Sequence, residues 1–153
     1  MTDNPNKVIE IAVNLDDVTG EVIGHVTQSL LEAGALDVWT VPLMMKKHRP
    51  GAGLHLLCQP QDQQALTEKL IALTGSFGVR YQPWQRTTLD RKHVEVNTRF
   101  GTLRLKVGSL NGKPIVAKPE YDDALTLATS QGVELRLVML AGQAAADAWL
   151  SEQ

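Results

Sequence analysis

Residues 7–43, KVIEIAVNLDDVTGEVIGHVTQSLLEAGALDVWTVPL, change their apolar period twice. In KVIEIAV, Ile9, Ile11 and Val13 alternate at period two, the mark of a strand with one buried face. After the turn NLDDVTGE, apolar side chains recur at Val22, Ile23, Val26, Leu30 and Ala33, a helical spacing that Gly34 is placed to end. LDVWTVPL, residues 36–43, reads as a second strand. One helix crossing between the two strands makes them parallel.

Working outward from there, KKHRPGAG (46–53) reads as a loop and LHLLC (54–58) as a third strand. Pro60 suits the first turn of a second helix, whose apolar stripe is Leu66, Leu70 and Leu73 and whose end is Thr74–Gly75. FGVRYQPW, from residue 77, begins a fourth strand. The order β-α-β-β-α-β predicts a ferredoxin-like half: an antiparallel sheet with two helices on one face. The second half differs. KHVEVNT and TLRLKVGSL alternate, with Leu103, Leu105 and Val107 inward and Arg104 and Lys106 outward. Asn111–Gly112 marks a tight hairpin before KPIVAK, because both turn positions favour positive φ. KPEYDDALTLATSQG then reads as a helix starting at Pro119 and ending at Gly132. VELRLVMLAGQAAADAWL reads as a last helix in which Gly142 is a weak point. The expected fold class is α+β: a ferredoxin-like βαββαβ lobe over residues 1–90, then a β-meander with two C-terminal helices over residues 91–153, packed as one unit.

Composition narrows the function. The chain has 153 residues, 43% apolar and 21% charged, with a formal net charge of -2. That suits a globular protein and offers no whole-chain attraction to nucleic acid or anionic lipid. Aromatics at 5%, and strands without the stacking pattern of RNA-recognition sheets, argue against RNA. No stretch approaches the ~18 apolar residues of a membrane span. MTDNPNKVIE lacks the apolar core of a signal peptide, and the single cysteine, Cys58, agrees with a reducing cytoplasm.

Three clusters could carry chemistry. Asn14, Asp16, Asp17 and Glu21 lie where a strand runs into a helix. Carboxylates there can cap the helix, through Asp17 or with Thr19 as the cap. They can equally hold a hard divalent cation, which takes oxygen ligands and shares them with phosphate. Lys46, Lys47 and Arg49 sit beside His48 and a Pro50–Gly51 break. They read either as a solvated hairpin tip or as an anion site, with lysines as point charges and the arginine as a bidentate fork. Because the first two strands are parallel, the acidic turn and the basic loop belong at one rim of the sheet. Opposite charges there can bind a metal-chelated polyphosphate or neutralise each other. The third cluster is Lys118, Glu120, Tyr121, Asp122 and Asp123. Its acids are expected in a first helical turn, and Tyr121 can stack on a base or pack inward. Arg80, Arg86 and Arg91 either extend the positive surface or face water. His25, His55 and His93 read as structural or exposed.

Together, residues 14–51, FGVR (77–80), RTTLDR (86–91), FGTLRLKV (100–107) and KPEYDDA (118–124) resemble the C-terminal domain of LarC-type nickel insertion proteins of lactate racemase maturation. The resemblance runs from about residue 8 to 140. It implies an oligomeric domain that handles CTP with Mn²⁺ or Mg²⁺, within an enzyme that inserts nickel into a pyridinium bisthiocarboxylate mononucleotide. Carried over residue by residue, it implies nucleotide contacts at Lys46, Lys47, Arg49, Lys118 and Tyr121. It implies metal contacts at Asn14, Asp16, Asp17, Glu21, Glu120 and Asp122, with Thr19 in the same turn, and nickel as cargo. The large N-terminal domain usual in the family is missing from the resemblance, so the chain is expected either to act with a separately encoded N-terminal partner, which any CTP-dependent nickel chelatase activity would need, or to be a stand-alone relative with another task. Gly20 stands where the family pattern has a proline, and Ala124 where a cysteine is common. If that thiol helps to hold nickel, a chain without it binds nucleotide yet does not insert the metal. The rival expectation is a non-catalytic oligomeric regulatory module of ferredoxin-like fold that binds a small anionic ligand.

Overall fold

The computed structural model describes residues 6–153. Residues 1–5, the start of the stretch read above for a targeting signal, lie outside the described residues. The chain divides into two compact units, the first ending at Thr87 and the second spanning Thr88–Gln153.

The first unit comprises β1 (Lys7–Leu15), α1 (Gly20–Glu32), β2 (Asp37–Met45), β3 (Arg49–Cys58), α2 (Gln63–Thr74) and β4 (Arg80–Gln85). Its four strands run in the order β2-β3-β1-β4, every neighbouring pair antiparallel. This is the expected ferredoxin-like half. The alternation in β1 decides which face is buried. Ile9, Ile11, Val13 and Leu15 join Leu54, Leu56 and Cys58 of β3 against Val26 and Leu30 of α1 and Leu66 and Leu70 of α2. Glu10, Ala12 and Asn14 take the face away from both helices. Asn14 pairs with Gly53 across β3, and Ala12 with Arg80 across β4. Burial pushes the Cys58 thiol up to about 11, with Asp62 adding to the effect.

The expected loop at 46–53 is a correction. Only Lys46–His48 leave the ladder, as a 3-10 turn with Lys47 and His48 at φ 63° and 56°. β3 already begins at Arg49, and Pro50 and Gly51 pair with Met44 and Leu43. Proline is tolerated there because pairing with β1 starts only at Ala52, so Pro50 has a ladder on one side. Gly51 does not loosen a loop. A Cβ on it would lie 2.5 Å from Leu15 O, so glycine lets the two backbones meet. Pro60 likewise opens a short 3-10 turn, Pro60–Asp62, ahead of α2.

The second unit comprises β5 (Asp90–Thr98), β6 (Gly101–Leu110), β7 (Lys113–Pro119), α3 (Tyr121–Gln131) and α4 (Leu135–Ser151). The strands form an antiparallel meander, β5-β6-β7. Asn111 and Gly112 make its turn at φ 51° and 79°. Leu103, Leu105 and Val107 pack with Ala117, Ala124, Ala128, Val138 and Ala146. Two expectations change. Pro119 closes β7 instead of opening the helix, which starts at Tyr121 with Glu120 as its N-cap residue. Gly142 does not break α4: it is buried where a Cβ would lie 2.8 Å from Pro119 Cβ, so its missing side chain seats the helix on β7.

Candidate functional site

The parallel run of β1 and β2 brings their C-terminal turns to one rim of the first unit. There Arg49 donates from Nη1 to Asp16 Oδ2 at 3.2 Å. Arg80, at the start of β4, donates from Nη1 to Asn14 Oδ1 at 3.0 Å. Helix capping does not consume the carboxylates. Thr19 is the N-cap of α1, and its hydroxyl accepts from Val22 N at 3.4 Å. Asp17, Glu21, Lys46 and Lys47 are exposed and form no ion pair among the described residues. The rim therefore holds one weak, solvent-facing salt bridge, one arginine–amide bond and further charges of both signs that stay available.

Among the described residues, no three His, Cys, Asp or Glu side chains converge on a metal position. Asp16 and Asp17 are not a closed cage. A magnesium-like ion takes only one or two carboxylates from a protein and completes its shell with phosphate oxygens and waters.

The second unit builds its own charged cluster. His93, Lys106 and Lys118 stand in one cross-strand row over β5, β6 and β7. Glu120 Oε1 lies 2.8 Å from His93 Nε2 and 3.1 Å from Lys106 Nζ. Those two partners, His93 foremost, hold its carboxyl below the usual range. Three positions on, Asp123 accepts from Arg104 three times: Nε and backbone N on Oδ2, both at 2.9 Å, and Nη2 on Oδ1 at 2.7 Å. The fork geometry lowers the Asp123 pKa to about 2 and raises that of Arg104. These bonds fix the start of α3, where Tyr121 and Asp122 are exposed beside the exposed Lys118.

Of the residues singled out from the sequence, Asp16 and Arg49 thus meet in the first unit, Asn14 meets Arg80, and Lys46 and Lys47 lie on the turn before Arg49. In the second unit Glu120 is tied to internal partners. Sequence reasoning gave His93 and Lys106 no part in these clusters, and left Arg80 either to extend the positive surface or to face water. Arg80 was findable: the ferredoxin-like order sets β4 beside β1, which places the first residue of β4 next to the acidic turn. The pairing of Arg104 with Asp123 had no local signal, because they are 19 positions apart.

The sequence pattern described as "nickel insertion protein" matches residues 2–139. The pyridinium-3,5-bisthiocarboxylic acid mononucleotide nickel insertion protein of Lactiplantibacillus plantarum is 41% identical over 141 residues, which are 92% of this chain and 33% of that protein. The chain belongs to the nickel insertion protein family. The relative of the same description in Staphylococcus epidermidis is 38% identical over 118 residues, covering 77% of this chain and 30% of its own length. Among solved structures, LarC2, the C-terminal domain of a cyclometallase involved in synthesis of the NPN cofactor of lactate racemase, matches in its apo form with a TM-score of 0.87. It shares 40% identity, over 92% of this chain and 97% of that domain. This nickel insertion family chain spans about a third of the length of the curated relatives it matches. Among the described residues, no helix is long and apolar enough to cross a membrane.

Proposed function

We propose that this chain is the domain of a nickel insertion protein that binds a nucleoside triphosphate, CTP, together with Mn²⁺ or Mg²⁺. The observation that carries the reading is the Asp16–Arg49 contact at a rim that also presents Asp17, Lys46 and Lys47 without ion-pair partners. Lys46, Lys47 and Arg49 hold phosphate oxygens, the lysines as mobile charges and the arginine through its fork. Asp16 and Asp17 orient the cation from the opposite side, and Asn14, held by Arg80, adds a neutral oxygen. A bound divalent cation would supply charge neutralisation at the phosphates. Thr19, engaged as the helix cap, keeps the turn in register. In the second unit, the clamps on Glu120 and Asp123 present Tyr121, Asp122 and Lys118 as further contacts of this domain. Nickel is cargo. Its insertion involves the segment of the family's proteins that this domain does not match, and self-association of this domain in the cytoplasm.

Calorimetric titration of the full chain with CTP in the presence of Mn²⁺ tests this. Micromolar binding is expected, weakened at least about tenfold by Lys46→Ala/Lys47→Ala, since each lost phosphate contact is a charge-assisted bond. Both lysines are exposed, so the melting temperature should stay put. An absence of heat for the unaltered chain at high micromolar CTP overturns the reading.

A further inference from the structure

The tip of the β6–β7 hairpin carries chemistry of its own. The ladder closes by pairing Leu110 with Lys113, which leaves a loop of two residues, Asn111 and Gly112. Both are exposed, and both hold positive φ. A Cβ built on Gly112 would meet nothing within 4 Å, so the space beside its backbone is open. Asn111 is also the only asparagine in the sequence followed by glycine. Asn14 and Asn97 precede Leu15 and Thr98, whose side chains crowd the next backbone nitrogen.

The amides differ in their restraint as well. Asn14 Oδ1 accepts from Arg80 Nη1 at 3.0 Å, and Asn97 Oδ1 accepts from Thr102 Oγ1 at 2.8 Å. The Asn111 side chain has no hydrogen-bond partner among the described residues. The backbone around it is weakly anchored. Leu110 is 46% exposed and Ile115 48%, and the β6–β7 register shifts between Gly108 and Ser109. A strand end with so little buried surface opens locally at small cost. On opening, Asn111 leaves its left-handed conformation and its Cγ can reach the Gly112 nitrogen.

We propose that Asn111 is a self-modification site, converted by its own chain to aspartate and isoaspartate. The Gly112 nitrogen bonds to Asn111 Cγ, the bond from Cγ to the amide nitrogen breaks, and ammonia leaves with the proton from Gly112. Water then opens the resulting succinimide. Breaking the new bond to Cγ gives aspartate; breaking the original peptide bond gives isoaspartate. Either product adds one negative charge to a chain whose formal net charge is -2. The two act differently on the fold. Aspartate still suits a two-residue turn before glycine. Isoaspartate puts a methylene group into the main chain, so two residues no longer close the turn, and the start of β7 at Lys113 is released.

The test incubates the full chain at mildly alkaline pH over weeks and follows each asparagine by peptide mass spectrometry. The peptide holding Asn111 should gain one mass unit, as aspartate and isoaspartate, while Asn14 and Asn97 stay intact. Asn111→Gly, which keeps a turn of the same kind, should show no such product. An Asn111 that stays intact in the folded chain while the urea-unfolded chain converts overturns the proposal, because the turn then locks the amide. Conversion at Asn14 or Asn97 as fast as at Asn111 overturns it too. Hydrogen exchange separates the two products. Amides at Leu110 and Lys113 should exchange faster in the isoaspartate form than in Asn111→Asp, which carries the same charge without the added methylene. Equal exchange in the two overturns the release of β7.

Discussion

Arg49 Nη1 lies 3.2 Å from Asp16 Oδ2, joining two turns 33 positions apart in the chain. Arg49 is 58% exposed at its side chain and Asp16 20%, so the contact contributes little to folding. Its value is positional: it keeps a carboxylate and a guanidinium side by side, where a phosphate–cation pair would meet both.

Arg49→Ala and Asp16→Asn should therefore separate stability from binding. Each should change unfolding free energy by less than about 1 kcal/mol in urea titrations. Arg49→Ala should weaken CTP at least about tenfold through the lost charge-assisted contact. Asp16→Asn should reduce the gain that Mn²⁺ gives to CTP binding. A large stability loss with unchanged affinity would make the pair purely structural.

Gly51→Ala should damage the same rim from beneath. The new Cβ would sit 2.5 Å from Leu15 O, a backbone atom with nowhere to go. Forcing β1 and β3 apart should cost about 1–3 kcal/mol in urea unfolding. It should also weaken CTP, because Leu15 adjoins Asp16 and Gly51 lies two positions from Arg49.

In the second unit, Asp123 gives a pH signature. Its folded pKa of about 2, set chiefly by the Arg104 hydrogen bond, lies below the unfolded value of about 3.9. A depressed carboxylate contributes stability that is complete above the unfolded pKa and is lost as pH falls through the folded one. Thermal melts between about pH 4 and pH 2 should steepen for the unaltered chain and flatten for Asp123→Asn. Glu120 is shifted in the same direction and should leave a residual slope in that variant.

Gly142→Ala should destabilise the protein although alanine is the better helix former by about 1 kcal/mol. The added methyl meets Pro119 Cβ at 2.8 Å and Leu103 Cδ2 at 3.2 Å, and the proline ring cannot swing away. Overpacking of that kind costs about 1–3 kcal/mol, so the net change in urea unfolding should be negative or, at best, zero.

The sequence by itself determined the elements and the faces they bury. Ile9, Ile11 and Val13 at period two and Val26 and Leu30 at helical spacing oblige a strand and a helix, because only those backbones put such side chains on one side. The single helix between β1 and β2 then fixed those strands as parallel, which already placed the acidic and basic turns at one rim. What local pattern could not fix was where strands and turns end. Pro50–Gly51 reads as a break, yet continues β3, because Pro50 has a ladder on one side and Gly51 must touch Leu15 O. Pro119 reads as a helix start, yet ends β7.

Only the tertiary structure decided the partners. Glu10 with His55 and Trp84, Asn14 with Arg80, and Asp123 with Arg104 are separated by 45, 74, 66 and 19 positions respectively. A side chain's charge is written in the sequence. The atom it meets depends on how the elements are set against one another, and a register shift of one residue would turn the groups carried on strands to the other face.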